Sequence, residues 1–198
     1  MTKIDLSLVQ KLRDRTGIGM MDCKKALEAT GGDIEAAVDL LRKKGAAVEL
    51  KRSGNATSEG LVHAYIHPGA QIGVLIEINC ETDFVARTDD MKRFAHDVCM
   101  HIAAQNPQCV SVEDLDPAFI AREQEIAREQ LAGSGKPAHI LESIIQGKID
   151  KAIASVCLLQ QQFVKNEKLT VKELLQELIG KMGENIKIRR FSRFEVGC

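Results

Sequence analysis

The chain has 198 residues, 27 Lys and Arg against 28 Asp and Glu, and 44% hydrophobic side chains, the composition of a globular protein rather than a disordered or collagen-like one. One or two domains are expected at this length, burying about 70% of the surface of the extended chain, so no disulfide or metal staple is needed. No apolar run approaches the roughly 20 residues of a membrane span, and Asp5, Lys11, Arg13, Asp14 and Asp22 stand where a signal peptide has its apolar block; a cytoplasmic protein is expected.

Residues 1–45 read as three short helices. Leu8, Val9 and Leu12 form one stripe before Thr16-Gly17, Met20 to Ala29 form a second helix closed by Gly31-Gly32, and Asp33 caps a third that Gly45 stops. The polar stretch at residues 46–58 is expected to be a linker to an α+β domain over 59–198. There the period drops to two: Ile72, Val74, Ile76 and Ile78 mark one face of a half-buried strand, and Val62, Ala64 and Ile66 mark that of its partner. Pro68-Gly69 predicts a type II turn between them. Met91, Phe94, Ala95, Val98 and Ile102 have helical spacing up to Asn106-Pro107, and Asp116-Pro117 opens a helix that Gly133-Ser134-Gly135 stops. Pro137 opens another helix, broken at Gly147, and Thr170 to Glu173 reads as a capping box for a helix ending at Gly183. Residues 185–196 are extended, with Phe191 breaking the alternation as a bulge would. The sum is a small three-stranded antiparallel sheet packed with helices.

Charge is uneven along the chain. Residues 1–57 carry 11 basic and 8 acidic side chains, residues 58–130 carry 5 and 13, and residues 131–198 carry 11 and 7. Such blocks suit a charged protein partner or subunits meeting one another, or are simply solvated helix faces. Signs of catalysis are few. Glycine-rich nucleotide loops and a nucleophile elbow are absent, and the six cysteines contain no Cys-x-x-Cys pair, so free thiols are expected. His96 with Cys99, or His63 with His67, lacks the second pair that a metal site needs, and Cys80 reads as a structural thiol before a nucleophile. Neither a metal nor a cofactor is expected. With 4% aromatics there is no stacking platform for single-stranded nucleic acid. The segment Thr82-Asp83-Phe84-Val85 is ambiguous: Thr82 and Asp83 suit a helix start, while Phe84 is either core or a probe presented to a partner.

Several ordered motifs closely resemble translation elongation factor Ts. They are Arg15-Thr16-Gly17-Ile18-Gly19-Met20-Met21-Asp22-Cys23-Lys24-Lys25-Ala26-Leu27, Gly32-Asp33-Ile34-Glu35-Ala36-Ala37 and Glu77-Ile78-Asn79-Cys80-Glu81-Thr82-Asp83-Phe84-Val85. Phe163-Val164-Lys165, Thr170-Val171 and the run from Ile188 to Gly197 match as well. The resemblance implies that residues 1–45 are similar to a ubiquitin-associated domain, and that the function is guanine nucleotide exchange on elongation factor Tu without covalent catalysis. It also implies that Thr82, Asp83, Phe84 and Val85 intrude beside the nucleotide and dislodge Mg²⁺ from the partner. Met20 and Met21, supported by Asp22, Lys24 and Lys25, would contact the GTPase domain, and the factor would remain bound until GTP arrives. Long members of the family have two core subdomains and a helical hairpin insertion. This chain has room for one core copy, which implies a short form whose core makes a homodimer and a 2:2 complex; a cross-link between subunits through Cys198 would need oxidation, which a cytosol does not favour. Direct binding of nucleic acid or membrane is not implied.

Overall fold

A computed structural model describes residues 4–131 and 137–197. Among them are eight α-helices and a three-stranded antiparallel sheet of strands β1 (Glu59–Ile66), β2 (Ile72–Cys80) and β5 (Ile186–Glu195), in the order β1-β2-β5. The fold is α+β. The chain divides into two compact units, one of Met1–His63, Glu77–His96 and Glu173–Ile188, the other of Ala64–Ile76, Asp97–Lys172 and Arg189–Cys198.

The first unit begins with α1 (Leu6–Thr16), α2 (Met20–Ala29) and α3 (Ile34–Arg52). Local chemistry sets their ends. The Asp5 carboxylate accepts from the Ser7 N–H, Gly17 closes α1 at φ 67°, and the Asp33 carboxylate accepts from the Ala36 N–H. Val9, Leu12, Cys23, Ala26, Leu27, Ala37, Val38 and Leu41 bury their side chains in one cluster between the three helices. Gly45 does not stop α3, which continues to Arg52, so 46–52 are helical and only 53–58 carry neither helix nor strand. The glycine answers a different need: a Cβ there would lie 2.6 Å from the Gln176 carbonyl oxygen, and one on Gly180 would lie 3.0 Å from the Gly45 Cα. Gln176 and Gly180 belong to α8 (Val171–Met182), so glycine on both sides lets two helix backbones approach. Arg42 with Glu177 at 2.8 Å and Gln176 with Glu49 at 2.7 Å join the same helices.

In the second unit, Ala70 N–H donates to the His67 carbonyl at 2.9 Å and Gly69 adopts φ 94°, the geometry of the expected type II turn. Val74 and Ile76 are buried as the alternation predicts. The other strand is the opposite of the expectation: Val62, Ala64 and Ile66 face solvent, while His63 and Tyr65 are half-buried. Period two groups side chains by face but does not say which face is covered. In β5 the covered positions pass from Ile186 and Ile188 to Phe191 and Arg193, a change of parity that an extra residue in the strand produces.

Helix α5 (Asp89–Gln105) buries the five apolar residues expected of it. Helices α6 (Pro117–Leu131) and α7 (Ala138–Val156), which open at the two prolines as expected, pack on one another. The stop at Gly133-Ser134-Gly135 lies outside the described residues, and α7 runs through Gly147 without a break. Two strands escaped the sequence reading, β3 (Gln162–Phe163) and β4 (Asn166–Thr170), which pair antiparallel. Behind them His101 is buried: Nδ1 accepts from the Val164 N–H at 3.3 Å, Nε2 meets Gln161 Oε1 at 2.9 Å, and burial lowers its pKa.

Candidate functional site

Strand β2 delivers its end, Cys80, into the core, and the chain then turns into α4 (Asp83–Ala86). Thr82 caps this helix in extended geometry, φ −129° and ψ 153°, its hydroxyl accepting from the Val85 N–H at 3.4 Å. A single turn of helix has little stability of its own. It is held by Val85 and Ala86, each 8% exposed, so the side chain between Asp83 and Val85 must turn outward. That side chain is Phe84, 82% exposed. Burying an aromatic ring is among the larger contributions one residue can make, and here the ring stands in water. Asp83 pairs with Arg87 at 3.0 Å.

The base of this projection is fixed by two carboxylates. Glu184 accepts from the Thr82 hydroxyl at 2.7 Å and from the Thr82 N–H at 3.1 Å. Glu81 accepts from the Asn185 N–H at 2.6 Å, the Asn55 amide at 2.8 Å and Arg52 at 3.1 Å. The Asn185 N–H first, then Asn55 and Arg52, hold the Glu81 carboxyl below the ordinary carboxylate range. Sequence reasoning missed Glu184, Asn185 and Arg52, because partners 29 to 104 positions away leave no periodic signal.

Of the residues expected on α2, Met21 is 65% exposed while Met20 packs against the three-helix cluster. Lys24 and Lys25 face solvent. Asp22 pairs with Lys44, and Lys24 with Glu28 at 3.8 Å. The helix therefore presents one thioether among charged groups.

A catalytic reading finds little support. Burial, then the Glu184 charge, pushes the Cys80 thiol upward, and its Sγ donates to the Thr82 carbonyl at 3.1 Å, so no thiolate is prepared. Burial pushes Cys99 up to about 12. The His63 ring meets His96 edge-on at 5.7 Å, whereas His67 meets the Tyr65 hydroxyl at 3.0 Å. Among the described residues no group of three His, Cys, Asp or Glu side chains is placed to hold a metal ion, and no described helix is long and apolar enough to cross a membrane.

A family model described as Elongation factor TS matches residues 15–198. Elongation factor Ts of Desulfotalea psychrophila is 56% identical over 195 residues, 98% of this chain and 99% of that protein. That of Carboxydothermus hydrogenoformans is 54% identical over 194 residues, 98% of this chain and 89% of that one. That of Desulfosudis oleivorans is 51% identical over 197 residues, 100% of both.

Proposed function

The chain belongs to the elongation factor Ts family, and from that membership we propose that it is a cytoplasmic guanine nucleotide exchange factor for elongation factor Tu, acting without a covalent step. One observation carries the reading: a phenylalanine is 82% exposed on a clamped helix turn whose next two residues are buried. Entering the GTPase domain, Phe84 displaces groups beside the nucleotide, with Thr82, Asp83 and Val85 setting its approach. Mg²⁺ neutralises the phosphates of GDP there, so moving its ligands removes much of what holds the nucleotide. Burial of one phenylalanine yields about 2–3 kcal/mol toward that distortion.

Linkage makes the effect reciprocal. Whatever factor the exchange factor weakens GDP by, bound nucleotide weakens the exchange factor by the same factor, and GTP entry therefore expels it. Residues 1–45 act as a ubiquitin-associated-like module, with the exposed Met21 leading its contact, Met20 packed beside it, and Asp22, Lys24 and Lys25 around them; a flexible thioether suits a reversible interface. Acceleration of GDP release from elongation factor Tu tests the proposal. An RNA-binding module would instead bind RNA with steep salt dependence and leave that release unchanged.

We further infer that the core, not the N-terminal module, makes a homodimer that carries two GTPases. Ala64, Ile66, Leu75, Phe194 and Val196 line an open groove of about 400 Å³ on the sheet, and Ile66 and Phe194 are more than half exposed. Monomeric proteins rarely leave an extended apolar face in water. Sedimentation of the wild type at micromolar concentration is expected to give the dimer mass and that of Phe194→Arg the monomer mass. A monomeric wild type contradicts the inference.

A further inference from the structure

Two acidic residues on separate segments exchange partners at the base of the Phe84 projection. Glu184 takes both donors of Thr82, and Glu81 takes the backbone N–H of Asn185, one residue beyond Glu184. Gly183, at φ 72°, ends α8 and brings these residues alongside 81–82. Asn185 is itself buried, its amide donating to the Asn55 carbonyl at 2.9 Å. We propose that Glu184 is the positioning residue of the exchange reaction, fixing the cap of α4 so that Phe84 meets its partner already oriented. This rests on the exchange reading above.

The physical argument concerns what a four-residue helix can do unaided. Its intrahelical bonds are too few to hold it, and the Thr82 hydroxyl can both accept from Val85 and donate outward only if something fixes its rotamer. A carboxylate receiving both the hydroxyl and the N–H of one residue does so, with charge-assisted bonds that are stronger than neutral ones. Without it the ring is still exposed and still apolar, but it samples many directions, and each partner encounter must order it again.

The test follows labelled GDP leaving elongation factor Tu as the concentration of this protein is raised, which separates the limiting rate from the half-saturating concentration. Glu184→Ala removes both bonds to Thr82 and is expected to lower the limiting rate about tenfold or more, the factor that the loss of a single hydrogen bond to a charged group already carries. Half-saturation, set by the wider interface, should change less than about twofold. Glu184→Gln keeps one acceptor and should recover part of the rate. Glu184→Ala combined with Phe84→Ala should be no slower than Phe84→Ala alone, and amide exchange at Thr82 and Val85 in the free protein should quicken in Glu184→Ala. A limiting rate within about twofold of wild type in Glu184→Ala, while Phe84→Ala is slow, overturns the assignment, since a lost positioning bond should cost more. So do effects that multiply in the double variant. If Phe84→Ala itself releases GDP at the wild-type rate, the exchange reading fails instead.

Discussion

Phe84→Ala is expected to slow the release of GDP from elongation factor Tu by about 30- to 150-fold at limiting factor concentration, the rate equivalent of about 2–3 kcal/mol of lost ring burial. The fold should hardly notice. An 82% exposed ring contributes little packing inside its own subunit, and surface substitutions of this kind stay within about 0.5 kcal/mol. Urea denaturation gives the stability and stopped-flow fluorescence gives the rate. The contrast between the two readouts is the signature: a core phenylalanine would lose several kcal/mol of stability, and a solvated bystander would lose neither. Phe84→Leu should fall between, because an aliphatic side chain recovers part of the buried area without the ring's shape.

The second large effect concerns two glycines inside helices. Gly147 has nothing within 4 Å of an added Cβ, so Gly147→Ala should stabilise the protein by about 0.5–1 kcal/mol, the ordinary helix-interior difference. Gly45→Ala has the same propensity gain but places a methyl 2.6 Å from the Gln176 carbonyl oxygen. Backbone on both sides cannot step aside cheaply, so the opposite sign is expected, a loss of about 1–3 kcal/mol. Gly45→Val should lose more and lower the midpoint by about 6 °C or beyond, since each kcal/mol moves Tm by about 2–4 °C at this chain length. Thermal unfolding of the three variants measures both directions. Equal stabilisation of both alanine variants would mean that α3 and α8 do not meet at Gly45.

These glycines also show where sequence reading reaches its limit. Gly17, Asp33 and the Pro68-Gly69 turn were legible because their causes lie within a few residues: a left-handed cap, a side chain taking the Ala36 N–H, a positive φ after proline. Gly45 and Gly147 look the same in a sequence, yet one meets α8 across more than 130 positions and the other meets nothing. Locally both resemble stops. The apolar set Val62, Ala64 and Ile66 was legible as a face, whereas its exposure depends on what covers the sheet. The pair β3 and β4 offers only Phe163 and Leu169 as buried apolar residues, too few for any period to register. At the site, local rules found the Thr82 cap and left Phe84 open between core and probe; only the burial of Val85 and Ala86 separates those alternatives.

Wild-type protein mixed with elongation factor Tu carrying fluorescent GDP, against excess unlabelled nucleotide, gives the most direct measurement. The account expects release to accelerate with protein concentration toward a plateau, and excess GDP to weaken the factor's own binding by the same ratio that the factor weakens GDP. Release at the intrinsic rate at every concentration, with the two proteins bound to each other, would contradict it.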